Sequence, residues 1–529
     1  MSQRLALDSV AIRDERLFGW GWFLDDGAPA ARVSLRIHGK DGSVLTLMCP
    51  QGGARPDLAE AFPEVAHAAG GGFMLQARVP LSVEVAEVDV HILLTDGREH
   101  VELLPEVTHS LRHRTRGGAA SIATQGRLSN FVRLLARGQW PEAWRRLRAW
   151  LARCLAPAQH IPEWDGACVA VPAMWVVFDH AMGGGANHFR DLKLAQWRAA
   201  GHGVLLVTPV LTTMEYEVAD GDETRRFPDL EACLAALQPC AHVVINDLVS
   251  FDDPLLVVKW TLARQSEGSR VTYYLHDFHA ACPSFTLTAS DHRHCGVPEV
   301  DVCSRCLPAN DAPFLGMMRS LDVPGWRATW ARLLAVADVV AFSAASVNLL
   351  ARAFPGLDPT RVVIQAHSMD HLPEAISPFV PDVGPVTTIG IVGSISAYKG
   401  AAIVKEMAML IERNRLPARL VVIGTLDGAK PSPVLRITGA YQRCDLAKLL
   451  EKEGIGVAFL PSVVPETFSY VTAELMHHQV PLAVFDLGAP AERVREYPRG
   501  RVISSIDAST ALSELIELHR SLVDGAPIG

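Results

Sequence analysis

The chain has 529 residues, of which 49% are hydrophobic, 20% charged and 7% aromatic, the balance of several globular domains with large buried cores. That composition excludes a disordered chain, a collagen-like repeat and a disulfide-dense secreted scaffold. Lys and Arg total 49 against 58 Asp and Glu, a net charge of −9, so no nucleic-acid partner is expected. The opening residues carry no signal-like apolar stretch and no run reaches about 18 apolar residues. A cytoplasmic protein without a membrane span is expected.

Residues 1–105 read as a β-sandwich accessory domain. Segments 17–24, 32–38, 43–48, 72–79 and 88–94 are short apolar or alternating runs. Turn signals such as Gly39-Lys40-Asp41-Gly42 and Asp96-Gly97 separate them, the pattern of an antiparallel sandwich. Trp20 and Trp22 share one face of a strand and are read either as packing aromatics or as a sugar-stacking platform.

Residues 106–165 read as a basic helical connector, with helices within 127–155. Ten Arg and one acid, Glu142, give residues 110–155 a charge of +9 and leave −18 for the rest. Trp144, Leu147, Leu151 and Cys154 line one helix face, with Trp140 and Trp150 as further anchors. Two readings are open: a helix packed on acidic protein surface, or a peripheral helix on an anionic membrane surface at the inner face of the cell membrane.

From there continuous apolar strands alternate with amphipathic helices, first over 166–378 and again over 379–529 after a Pro-rich break. Such strands belong to buried parallel sheets. Two series of them predict an α/β chain with two Rossmann-like domains facing across a cleft, and ligands at the carboxyl ends of the strands.

Three stretches carry chemistry. The strand 387–395 ends in Gly393-Ser394 and leads through Ser396-Ala397-Tyr398 to Lys399-Gly400 at a helix start. Glycine lets backbone approach a phosphate, a helix N-terminus offers N–H groups, and Lys399 adds a point charge; a plain strand–turn–helix is the other reading. The P-loop pattern GxxxxGK[ST] is absent. Next, Pro465-Glu466-Thr467-Phe468 is read as opening a helix that carries Glu474 on the same face, about 12 Å along the axis. That spacing suits a long ligand gripped by hydroxyls at both ends, although acids at a helix start also serve as dipole partners. Finally, strand 174–181 runs into Gly183-Gly184-Gly185-Ala186-Asn187-His188, a turn that a ligand can approach closely. Asp220-Gly221-Asp222 makes a DxD pattern, but within the acidic stretch ADGDET it reads as a solvated loop.

The order GGGANHF, His276-Asp277, GSISAYKG and PETFSYVTAE resembles the family-4 retaining glycosyltransferases of bacterial polysaccharide assembly, over residues 170–525. The resemblance implies the GT-B fold, a nucleotide-sugar donor on the second domain, a surface-polysaccharide or lipid-linked glycan acceptor on the first, and no catalytic metal. Carried over, Lys399 and the Gly393 turn would meet the donor diphosphate. Glu466 would hold the transferred sugar's hydroxyls beside the backbone of Thr467 and Phe468, and Glu474 would hold the ribose. Gly184 and Gly185 would lie against the phosphates, with His276 beside the reacting sugar. Many family members have Arg where this chain has Ser394, and Arg443 and Arg493 are the candidates to replace it. Two further readings share the fold: a sugar-nucleotide epimerase and a non-catalytic glycan-binding scaffold.

Cys282, Cys295, Cys303 and Cys306 fall within 25 residues, the last two as C-x2-C. This spacing suits a structural tetrahedral Zn²⁺, with His292 and His294 as substitute ligands. Reduced thiols and disulfides are the other readings.

Overall fold

A computed structural model describes residues 3–122 except 54, 66, 116 and 117, residues 174–369 except 222 and 238, residue 372, and residues 379–524. The basic stretch read as helices within 127–155 lies outside the described residues.

The first strands are β1 (Gln3–Arg13), β2 (Arg16–Asp25), β3 (Ala30–Gly39), β4 (Val44–Cys49), β5 (Gln51–Gly53), β6 (Gly72–Arg78), β7 (Val85–Leu94), β8 (Glu99–Leu103) and β9 (Ala119–Ile122). They form two antiparallel sheets, ordered β5-β6-β2-β1-β9 and β4-β3-β7-β8. Leu17, Leu35, Leu75, Val90 and Ile92 are buried in one core contributed by both sheets. The helix Pro105–Arg112 and β9 lie past residue 105, yet Leu104, Val107, Leu111 and Ile122 pack on that same core. Both tryptophans of β2 are packing aromatics: Trp22 lies 5.9 Å from Phe62, and Trp20 meets Phe18 edge-on at 4.7 Å.

The next strands are β10 (Trp175–Phe178), β11 (Val204–Val210), β12 (Glu215–Asp220), β13 (Glu223–Phe227), β14 (His242–Ile245), β15 (Arg270–Tyr274), β16 (Asp338–Ala341) and β17 (Val362–Ile364). They form one sheet in the order β13-β12-β11-β10-β14-β15-β16-β17. Six strands are parallel, while β12 and β13 form an antiparallel edge hairpin. Asp220 and Gly221 sit exposed at its turn, in keeping with a solvated loop. A wholly parallel sheet follows: β18 (Thr387–Ile395), β19 (Ala418–Leu426), β20 (Leu435–Ile437), β21 (Val457–Leu460), β22 (Leu482–Phe485) and β23 (Gly500–Ile503), in the order β20-β19-β18-β21-β22-β23. Helices such as Gly185–Ala199 and Ala401–Asn414 connect the strands. The two parallel lobes touch through Phe189, Tyr274 and Phe342 of the first and Phe468, Tyr470 and Ala473 of the second. This is the GT-B arrangement, with an antiparallel sandwich added in front.

The sandwich is seated on the first lobe by buried charge. Asp252 takes Arg78 at 2.6 Å, lies 3.6 Å from Arg16, and accepts the Tyr216 hydroxyl. Burial would raise the Asp252 carboxyl, but the two guanidinium groups and the hydroxyl hold it below the ordinary carboxylate range. Arg13 adds a 2.6 Å pair to Glu215. Contact with the second lobe is lighter: Lys430 Nζ donates to the Pro63 and Val65 carbonyls at 3.1 and 3.0 Å. Asp252→Ala leaves the buried Arg16 guanidinium without a counter-charge and Arg78 with only Glu15, 3.5 Å away, a loss of about 3 kcal/mol or more. Thermal melting of this variant should show a transition well below that of the parent chain; an unchanged melt would contradict the role given to Asp252.

Candidate active site

The cleft is built from loops at the carboxyl ends of β18, β21, β10, β14 and β15. After β18 the chain turns so that the N–H groups of Lys399, Gly400 and Ala401 donate to the Ser396 and Ala397 carbonyls at 3.0–3.1 Å. Those N–H groups are therefore consumed within the turn, contrary to the expectation that they would await an anion. The Lys399 side chain stays exposed as the turn's own cation. Gly400 has φ 83°, and a Cβ there would run into the Pro461 carbonyl. Only glycine lets this turn sit under the loop after β21. Val463 N donates to the Tyr398 carbonyl at 3.1 Å and joins the two loops.

Glu466 lies on that loop and not on a helix. The helix runs Tyr470–His477, so Glu474 is helical and Glu466 precedes it. The shared helix face expected for the two carboxylates is therefore corrected. The cause is local: Ser469 has φ 67°, a left-handed conformation that interrupts the helix. Upstream, the Thr467 hydroxyl is drawn to the His276 carbonyl at 2.8 Å, and the Glu466 carbonyl accepts from Ala489 N at 2.8 Å. The Glu466 side chain is half-buried. Glu474 is 2% exposed with Arg443 Nε 3.7 Å away, and the Arg443 guanidinium lies 5.1 Å over the Tyr470 ring. Arg493 lies 4.7 Å over Phe468 and donates to the Phe468 and Ser469 carbonyls at 3.2 and 3.4 Å. It shapes the loop.

Across the cleft, Gly184 and Gly185 open the Gly185–Ala199 helix, and a Cβ on Gly185 would lie 3.3 Å from the Tyr470 ring. Asn187 fastens this loop, accepting from Gly183 N at 2.6 Å and donating to Asp179 at 2.9 Å. Arg190 reaches the same carboxylate at 3.0 Å. Burial pushes the Asp179 carboxyl up to about 6 despite the opposing pull of His180 and Arg190. His276 contacts Asn246 Oδ1 through Nε2 at 3.1 Å, and burial drops its pKa to about 3, so the ring is neutral.

Sequence reasoning missed His367, which follows β17 and carries no motif. Its ring stacks on Phe468 at 4.3 Å with 14° between planes, and meets Phe342 at 4.1 Å and Phe189 at 4.7 Å. It is 6% exposed. Burial, together with nearby His276, His188, Arg493 and Lys193, lowers its pKa to about 2. Asn246 and Arg190 were also missed, since their partners are tertiary; Asn187 stands inside GGGANHF, where its turn-fastening role had a local signal.

No protein-family model matches the chain, and no curated protein matches it. Among solved structures it is similar to HepE of Anabaena, solved with UDP, at 13% identity over 66% of this chain and 90% of that one, with a TM-score of 0.40. A sucrose-phosphate synthase of Thermosynechococcus elongatus shows 13% identity, the same coverage and a TM-score of 0.41. A glycosyltransferase of Rickettsia africae shows 10% identity over 66% of this chain and 89% of that one, with a TM-score of 0.39.

Among the described residues, the group of three metal-ligating side chains with atoms mutually within 4.8 Å is Asp179, His180 and Asp247. His180 Nδ1 accepts from Met182 N at 3.1 Å, so its proton sits on Nε2, facing Asp247 at 3.4 Å. That tautomer leaves no lone pair for a metal, and the cluster is a support for the glycine loop. Cys282, Cys295, Cys303 and Cys306 do not gather as such a group. Cys282 contacts Ser284 Oγ at 3.2 Å, Cys303 receives Arg327 at 3.4 Å, and Cys306 receives Asn310 at 3.7 Å. Burial raises the Cys282 thiol to about 11 and also raises Cys295 and Cys303. As they stand, these residues do not fit a tetrahedral thiolate site, and the zinc expectation is not carried forward.

The buried imidazole of His367 has a measurable consequence. Below the ordinary imidazole pKa of about 6.5 the unfolded chain binds a proton that the folded chain excludes, so stability is lost as pH falls through that window. The slope is about 1.4 kcal/mol per pH unit. His367→Phe should therefore lose less stability than the parent between pH 7 and 5.5, by about 1.4 kcal/mol. Thermal melts at the two pH values check this; parallel losses in both proteins would contradict it.

Proposed function

We propose that this chain is a retaining glycosyltransferase that moves a sugar from a nucleotide-sugar donor to a surface-polysaccharide or lipid-linked glycan acceptor. One observation carries the reading: two hydrogen bonds and the short loop between them link the Lys399 turn to the His276 backbone. Tyr398 holds Val463, the same loop carries Glu466, and Thr467 closes on the His276 carbonyl. We take the cation, the carboxylate and the neutral imidazole carried by these joined loops to border one crevice at the carboxyl ends of the two sheets, where α/β folds bind ligands.

In this reading Lys399 meets the negative charge that develops on the leaving diphosphate, a contact that strengthens in the transition state. The Glu466 carboxylate accepts hydroxyls of the transferred sugar, and Glu474, held by Arg443, lies toward the nucleoside. The acceptor hydroxyl attacks from the leaving-group face and its proton passes to the departing phosphate oxygen. Charge stabilisation is assigned to side chains, so the proposal calls on no catalytic metal. Nothing at the cleft favours the epimerase or scaffold readings.

Lys399→Ala and Glu466→Ala should each lower transfer about a hundredfold, the usual cost of one preorganised electrostatic contact. Their melting behaviour should match the parent, since both side chains reach out of the core. Glu474→Ala should chiefly weaken donor affinity. The assay is sugar transfer with any nucleotide-sugar that the parent turns over, and near-parental turnover by the Lys399 and Glu466 variants would remove the assignment.

A further inference from the structure

Asn246 lies just past β14 and is 2% exposed. Its side chain touches both halves of the first-lobe site. Nδ2 donates to the Ala186 carbonyl of the glycine loop at 3.3 Å, and Oδ1 faces His276 Nε2 at 3.1 Å. The amide also helps to hold the charge of the nearby Asp179 carboxylate. The Ala186 carbonyl is an acceptor only at any pH. The donor end of the amide must point at it, because a flipped amide would set its oxygen against that carbonyl. The oxygen end is thereby committed to His276, and an amide oxygen can only accept.

We propose that Asn246 is a positioning residue that holds the His276 proton on Nε2 and leaves Nδ1 as a hydrogen-bond acceptor for a sugar hydroxyl in the cleft. The ring stands between Phe189 at 5.0 Å and Phe342 at 4.7 Å, which limits its rotation. Nδ1 has no hydrogen-bond partner among the described residues, and it is not sealed away as both nitrogens of His367 are. A neutral imidazole in this tautomer can take a hydrogen from a hydroxyl. It has nothing to offer an ether or phosphate oxygen. His276 therefore selects for a free hydroxyl, and Asn246 is the residue that makes it selective. The nature of the bound molecule rests on the transferase reading, whereas the tautomer does not.

The titratable groups facing His276 are Asp247 and His180, from the ends of β14 and β10, and His367 from the segment after β17. With Asn246 in place the ring stays neutral throughout the neutral range, so its tautomer can be read directly.

The test uses the full chain labelled with ¹³C and ¹⁵N histidine, with the His276 signal assigned by its loss in His276→Gln. The parent should show the Nε2–H pattern with no titration between pH 8 and 5. Asn246→Leu should replace it by a mixture of tautomers. Asn246→Asp keeps an acceptor at the ring but adds charge, so it should retain Nε2–H and bring the His276 titration up into that pH range. In transfer assays Asn246→Leu should lower kcat about tenfold or more, with donor KM little changed. An Nδ1–H pattern or a tautomer mixture in the parent would overturn the proposal, as would an unaltered His276 signal in both Asn246 variants. Spectra as expected, with no transfer from any nucleotide-sugar, would uphold the role of Asn246 and overturn the transferase reading.

Discussion

The packing of the two parallel lobes turns on the neutral imidazole of His367. It lies flat against Phe468 of one lobe and edge-on to Phe342 of the other, with Phe189 beside it. A proton on this ring would sit in a nearly sealed aromatic pocket with Arg493, Lys193 and two more histidines close by, and both burial and like charge oppose it. Uncharged, the ring serves as a flat apolar spacer. Phe468 then fixes Thr467, whose hydroxyl reaches the His276 carbonyl, and Glu466 follows directly from that placement. The site is assembled on an aromatic patch, and its polar groups take their positions from it.

The antiparallel sandwich meets the two lobes in different ways. Toward the first lobe it presents Arg13, Arg16 and Arg78 to buried carboxylates, an arrangement in which removing one partner costs far more than the pair itself contributes. Toward the second lobe it offers the Pro63 and Val65 carbonyls to a single lysine. Long charged side chains tolerate small displacements, and a lysine on a flexible stem tolerates more. The sandwich is thus held to the first lobe by paired charge and to the second by a lysine on two carbonyls.

The parallel sheets were legible because their strands are continuous apolar runs bounded by glycine or charge: the run 387–395 became β18 without change. The edge hairpin β12–β13 was not, since two half-exposed strands of mixed polarity lack that signature. The same limit hid β1, whose alternation is interrupted by a bulge between Leu7 and Ser9. At the site, Lys399, Glu466 and His276 could be named from local patterns, but the helix drawn through Glu466 failed at Ser469, where no glycine or proline announces the left-handed backbone. The cysteines show a pattern that spacing alone does not decide. Their spacing permits a metal, yet their packing against Ser284, Arg327 and Asn310 answers to burial. Asn246 was illegible for a plainer reason: its importance lies in two partners, Ala186 and His276, neither of which is its neighbour in the chain.

Ser394 changes where positive charge sits in the cleft. Its hydroxyl pairs with Thr425 at 2.9 Å and contributes no charge. Of the two nearby arginines, Arg493 is spent on the carbonyls of Phe468 and Ser469, and burial lowers its hold on the proton. Arg443 keeps a partly exposed guanidinium, but beside Glu474 its charge is largely balanced. Lys399 remains as the one exposed, unpaired cation among the described residues of the β18 turn. An ammonium is a point charge without the fork that binds phosphate in two places, so on the proposed reading the orientation of a donor diphosphate falls to the loops around it. Those loops are the ones that Gly400 lets pack against Pro461 and that Arg493 shapes from behind.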